Sequence, residues 1–310
     1  MTVPPYSIIE DPSKDQWDQF IHVIRVIKWT SHDNMTLGLL PSLPTTKCVF
    51  ATKDDGGSFL GGVVWNEFDE IAWVGMYVCL PEVRGCGIGS KLWRIAMERI
   101  RISGKAMGLR GVLDMATKYA ARETPFEISR LRHHVISSTD LRELCSTFNG
   151  DAKIRMKSTL SAEQLEGLHE FDHRMTGRDR RDLLRAFLAS SSFECAILFD
   201  GNDRISGWAG ITSVGLEEER MFKLGPVYTS SLAEFARLTE ALIPFCESIA
   251  DNPKIVVHIL SGTIGERELE PLFNSPQNTE RVTLFSKRID WQLKREMCVS
   301  PLNSCAHFDG

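Results

Sequence analysis

With 310 residues the chain is long for one domain and suits two. Hydrophobic residues make up 43% and charged residues 25%, the balance of a soluble globular protein. A formal net charge of −5 leaves no basic surplus to neutralise phosphates, so nucleic acid is not expected as a partner.

No basic-then-apolar signal opens the sequence, and no apolar run approaches the ~20 residues of a membrane span. Eight cysteines lie without a Cys-x-x-Cys pair, several inside apolar runs. They read as reduced core cysteines of a cytoplasmic protein. No His, Cys and Asp cluster has zinc spacing, so no metal is expected. His133 and His134 are adjacent and point to opposite faces of any strand.

Residues 6–10 read as a short strand and 14–28 as a helix, with Trp17, Phe20, Ile21, Ile24 and Ile27 on one face. Residues 33–44 read as loop-rich, with a short helical possibility. Strands follow over 47–53 and 59–68, joined by a hairpin signal at Asp54-Asp55-Gly56-Gly57. Residues 71–80 form an apolar run in which Gly75 is the weak point, and Pro81 ends it. Then come Arg84-Gly85-Cys86-Gly87-Ile88-Gly89 and an amphipathic helix over 90–103, stopped by Gly104.

Strand 111–115, helix 117–124 and strand 126–137 complete the first half. The second half reads as helices over 161–175 and 178–189, and a hairpin of strands 193–199 and 205–213. Strand 223–228, helix 231–248 and strand 254–260 follow. That succession repeats the first. The tail, 298–310, reads as loose.

A glycine turn that opens a helix is a phosphate site, because the first helical amides lack partners and the dipole favours an anion. Gly87 and Gly89 let a pyrophosphate approach the backbone. The competing reading is a tight turn with glycines for steric reasons. A Rossmann fingerprint fails, since Ser90 replaces the third glycine and no acid stands about 20 residues on. A P-loop fails because Ser90-Lys91 has the wrong order and spacing.

Arg84-Gly85-Cys86-Gly87-Ile88-Gly89, preceded by Val78-Cys79-Leu80-Pro81-Glu82, resembles the acyl-CoA motif of the GNAT superfamily of N-acyltransferases. The resemblance implies that Arg84, Gly85, Cys86, Gly87, Ile88, Gly89 and Ser90 cradle the CoA pyrophosphate. It implies also that the strand end at Val78, Cys79 and Leu80 splays from its neighbour and meets the pantetheine arm. Phe171 to Arg180, then Gly225-Pro226, resemble the C-terminal GNAT-like domain of the YitH type.

The fold so implied is α/β of α+β type: two tandem GNAT-like domains, each a mixed, largely antiparallel sheet flanked by helices. Residues 1–150 would be the catalytic, acetyl-CoA-binding domain. Residues 151–310 would be a GNAT-like domain without the pyrophosphate loop, because Gly225 to Ser230 stands in its place. Asp172 and Arg180 are expected to fix the corner between the two helices as an ion pair.

In such enzymes the region after the first helix lines the acceptor pocket, which makes Trp29, His32, Asp33 and Asn34 candidates. The alternative for these residues is a polar connecting loop. Some members carry a base carboxylate eleven residues before the first motif residue, where this chain has Trp73, read instead as a pocket wall. Glu67, Asp69, Glu70 and Asp114 remain as bases acting through water. The acid is often a tyrosine five residues before a phenylalanine. Counting back from Phe126 gives Ala121, two residues from Tyr119. Cys79 reads as a buried strand cysteine, since nothing adjacent would lower its pKa.

The expected activity is transfer of an acetyl group from acetyl-CoA to a primary amine of a small molecule, by a monomer or homodimer. Two rivals are a non-catalytic acyl-CoA-binding regulatory module and a protein N-acetyltransferase.

Overall fold

The computed structural model describes residues 5–27, 33–54, 57–148, 150, 153–214, 221–273 and 279–308. The first half contains β1 (Tyr6–Ile9), α1 (Lys14–Val26), α2 (Asn34–Leu39), β2 (Thr46–Lys53), β3 (Phe59–Phe68) and β4 (Ile71–Cys79). It continues through α3 (Ile88–Ser103), β5 (Ala106–Val112), α4 (Leu113–Ala120), β6 (Phe126–Ser137) and α5 (Ser138–Ser146). The second half contains β7 (Lys153–Met156), α6 (Ala162–Thr176), α7 (Arg181–Ala189), β8 (Phe193–Phe199) and β9 (Ile205–Ser213). After these come β10 (Met221–Tyr228), α8 (Leu232–Ile249), β11 (Lys254–Leu260), β12 (Thr279–Phe285) and β13 (Cys298–Ser300).

Local signals set several boundaries. Ser13 and Gln16 form a reciprocal capping box at α1, and Ser161 and Gln164 form one at α6. Gly104 and Gly177 take the left-handed conformation that ends α3 and α6. On one face of the sheet, Leu92, Trp93, Ala96 and Ile100 of α3 pack on Val63, Ala72 and Val74. On the other, Trp17, Phe20 and Ile24 of α1 pack on Phe50, Phe59 and Met76.

All thirteen described strands join one mixed sheet, in the order β1-β2-β3-β4-β5-β12-β6-β11-β10-β9-β8-β7, with β13 on β10. Two pairs are parallel, β4 with β5 and β10 with β11. The sheet does not divide at residue 150. β12 inserts between β5 and β6, and β6 pairs with β11 on its other edge.

Both central strands bulge. Val64 faces Met76 and Trp65 faces Val74, so Gly75 is extra in β4. The bulge changes the phase of the strand. Ala72 and Val74 face α3 before it, and Tyr77 and Cys79 face α3 after it. In β10, Leu224 faces Ile211 and Val227 faces Ala209, so Gly225-Pro226 oppose Gly210 alone.

Three expectations need correction. The fifth strand is Ala106–Val112, because pairing with β4 starts directly after the turn at Gly104; Leu113 to Met115 are helical. The following helix therefore begins four residues before the expected Thr117. Gly225-Pro226 lie within β10, in agreement with the strand read over 223–228, and the turn into α8 is Thr229 to Ser231. The tail is not loose over its described part: Cys298, Val299, Leu302, Ala306 and Phe308 are buried. Phe308 packs on Trp73, Phe285 and Trp291, and His307 stacks on Phe68 at 3.4 Å.

Candidate active site

β4 and β5 pair from Ile71 with Ala106 to Val74 with Leu109, and part beyond that point. The β5-facing edge of Gly75 to Cys79 has no strand partner among the described residues. Between the strands lies a cavity of about 160 Å³. Gly75, Met76 and Tyr77 line it on β4, Leu109 to Val112 on β5, and Trp93 and Tyr119 on α3 and α4. Asn303, Ser304 and Cys305 close its far side.

The glycine turn stands beside this wedge. Gly85 and Gly87 have φ of 80° and 83°, and a Cβ on either would meet nothing within 4 Å. α3 has no side-chain cap, and the amides of Gly87, Ile88, Gly89 and Ser90 find no acceptor among the described residues. Such amides suit an anion. The equivalent end of α8 is already satisfied. The Ser231 hydroxyl accepts from the Glu234 amide, and the Glu234 carboxylate accepts from the amide and hydroxyl of Ser230. The second wedge is filled as well: β10 and β11 part after Leu224, and β13 pairs with β10 there. The two halves thus share a strand plan, and among the described residues only the first keeps both the uncapped turn and the open wedge.

Arg84 donates from Nε to the Cys79 carbonyl at 3.1 Å, which ties the turn to the end of β4. At Gly89 a Cβ would come within 2.6 Å of the Tyr77 hydroxyl. Tyr77 therefore spans from the turn to the cavity. Its ring lies 5.2 Å from Trp93, and Trp93 lies 5.7 Å from Tyr119. Burial pushes the Tyr77 hydroxyl up to about 12 and raises that of Tyr119. Both phenols stay protonated at neutral pH and can donate. Burial also raises the Cys79 thiol, against a lowering by Arg84, so the pocket does not favour its thiolate.

The proposed bases fall elsewhere. Glu70 precedes β4 at its far end and is ion-paired with Arg178. Asp114 is exposed in the first turn of α4 and does not line the cavity. Glu67 accepts from the Trp65 indole, and Asp69 accepts from the Asp179 amide. Trp73 does line the cavity, buried, with its indole donating to the Ser304 carbonyl at 3.3 Å. Asn34 reaches away from it to the Val214 carbonyl at 2.6 Å. Trp29 and His32 lie outside the described residues. Tyr119 stands in the last turn of α4, with its ring over Gly111 of β5.

Sequence reasoning did not pick out Tyr77, Arg110, Arg281 or the 303–305 segment. Tyr77 had a faint signal, a phenol in an apolar strand two residues past the glycine. The others had none. Asp33 is the carboxylate on the cavity wall; it accepts from the Cys305 amide at 2.6 Å and faces Lys223 at 3.3 Å. No metal-binding group of three or more His, Cys, Asp or Glu occurs among the described residues. No described helix is long and apolar enough to cross a membrane.

Residues 14–110 match the family model described as the acetyltransferase (GNAT) family. The chain is 29% identical to an uncharacterized protein of Caenorhabditis elegans over the whole of both chains. A proposed acetyltransferase from Pyrococcus horikoshii superposes with a TM-score of 0.68 at 14% identity, covering 99% of this chain and 98% of that one. A tandem GNAT protein from the clavulanic acid biosynthesis pathway gives 0.65 at 12% identity, over 92% and 100%. Residues 14–110 are thus similar to the acetyltransferase (GNAT) family, and the chain as a whole has the fold of tandem GNAT proteins.

Proposed function

We propose that the chain transfers an acetyl group from acetyl-CoA to the primary amine of a small molecule bound in the wedge between β4 and β5. The observation that carries this reading is the pairing of an uncapped glycine turn with an open wedge in one half of the molecule only. The amides of Gly85, Gly87, Ile88, Gly89 and Ser90 would hold the CoA pyrophosphate, with Arg84 beside them. Val78, Cys79 and Leu80 would flank the pantetheine arm, and the free β4 edge from Gly75 would hydrogen-bond the thioester carbonyl. Bound there, acetyl-CoA supplies an activated acyl group.

The chain's own residues orient the carbonyl through the β4 edge and exclude water with Trp73 and Trp93. Tyr119, with Tyr77 near it, donates a proton or hydrogen bond to the leaving sulfur. The halves 1–150 and 151–310 would act as catalytic and covering units, with the C-terminal segment crossing between them. The covered far side of the wedge favours a small acceptor over a protein chain.

Calorimetry with CoA and a thiol-release assay over an amine panel test the proposal. Micromolar CoA binding with turnover of at least one amine is expected. CoA binding without turnover of any amine would favour the regulatory module.

A further inference from the structure

Two guanidinium groups share the wall of the wedge. Arg110 of β5 stands opposite Thr283 of β12, and Arg281 lies two residues along on the same face of β12, opposite Val112. Both line the cavity that Gly75, Met76 and Tyr77 line. Arg110 is held in place: it donates to the Thr283 hydroxyl at 3.0 Å and the Asn303 amide oxygen at 2.8 Å, and lies over the Trp73 ring. The Arg281 side chain has no hydrogen bond or ion pair with any described residue. Burial, and then the charge of Arg110, work against its protonated form; Asp33 offsets only part of this. The Asp33 carboxylate is itself occupied by Lys223 and the Cys305 amide.

A half-buried guanidinium without a carboxylate partner, next to a second cation, favours a ligand that answers its charge. A planar carboxylate fits the fork of Arg281 by two parallel hydrogen bonds. A cavity of about 160 Å³ limits what accompanies it to a compact molecule.

We propose that Arg281, with Arg110 beside it, docks a carboxylate of the acceptor, so that the acceptor is an amine of the amino-acid class. The inference rests on the acetyl-transfer reading and names the substrate class of that same site. With the acid group held on β12 and β5, the amine faces the free edge of β4. The neutral nitrogen attacks the acetyl carbonyl, the C–S bond breaks, and the nitrogen's proton ends on the departing thiolate. The products are an N-acetylated acid and CoA thiol.

The test uses the full chain and matched probes: alanine, β-alanine and phenylalanine against their carboxamides, with acetyl-CoA. At least one acid should exceed its amide tenfold or more in kcat/KM. Arg281→Gln should bring that acid down to the level of its amide, and Arg281→Lys should keep part of the preference. CoA affinity, measured separately by calorimetry, should stay within threefold of wild type in both variants. Loss of CoA binding in the wild type would strike the acetyl-transfer reading itself.

The same pairs titrated into CoA-saturated protein give a reading free of turnover. Acids should raise Tm by about 2 °C or more above their amides in the wild type and not in Arg281→Gln. Because CoA already fills its own site, its phosphates cannot account for this preference. Equal treatment of acids and amides, no shift from any acid, or an undiminished preference in Arg281→Gln overturns the proposal.

Discussion

The carbonyl oxygen of Cys305 lies so close to Gly75 that no Cβ fits at position 75. The same segment presses the Pro301 carbonyl on Gly225, so one C-terminal strap rests on the bulge of both central strands. Gly75→Ala must move backbone and not a flexible side chain. It should cost about 1–3 kcal/mol, read as a lower urea midpoint. It should also loosen the strap and expose Arg288, Lys294 and Arg295 to faster tryptic cleavage. A variant that melts like wild type with these sites still protected would show that the strap is held elsewhere.

Gly87 is constrained differently. A side chain there meets no protein atom but must accept φ of 83°. Gly87→Val should lose about 1–2 kcal/mol of stability, and Gly87→Asn much less, since asparagine tolerates the left-handed region. Both add a Cβ at the turn proposed to hold the pyrophosphate, so both should weaken CoA binding tenfold or more by calorimetry. Unchanged affinity in the folded Asn variant would remove the turn from the site.

Tyr119 and Tyr77 compete for one role. Tyr119→Phe should lower turnover about 10²-fold at saturating substrates, with CoA affinity kept. Tyr77 is pushed up to about 12, further from the pKa of a thiol, and its hydroxyl abuts Gly89. Tyr77→Phe should therefore cost less than tenfold. A loss under threefold for Tyr119→Phe and a large one for Tyr77→Phe would exchange the two assignments.

Asp172 and Arg180 form the ion pair expected from sequence. Arg180 Nε donates to Asp172 Oδ2 at 2.9 Å, and Nη2 also reaches the Tyr228 hydroxyl at 3.2 Å. Side-chain exposures of 1% and 0% remove both groups from water. Asp172→Ala leaves a buried guanidinium without its carboxylate and should cost about 3–5 kcal/mol. Replacing both residues by Leu and Met should recover most of that in a denaturant titration. A single variant as stable as wild type would mean that water reaches the site.

The stretch from Ile71 to Gly104 was legible in sequence because its determinants are local. An apolar run, glycines able to take positive φ, and a helical apolar stripe are set by residues a few positions apart. Gly75 was visible as an irregularity, and its meaning as a bulge came only from its register against β3. The repeat of the strand plan and the absence of a glycine turn before α8 were likewise readable from order and composition. The start of β5 was misjudged because Ala106 to Val112 contains two glycines and an arginine, which mask a strand that pairing alone defines.

The chemistry of the wedge was decided by tertiary structure. Trp73 meets Ser304 across 231 residues, and Arg110 meets Asn303 across 193. A short tail carrying Leu302, Ala306 and Phe308 has no periodicity to mark it as core. It becomes core because Trp73, Phe285 and Trp291 leave an apolar slot for Phe308. Arg281 reads in sequence as one more surface cation. It becomes a candidate ligand only because β12 crosses from the second half to pair with β5, and that pairing turns its side chain into the wedge.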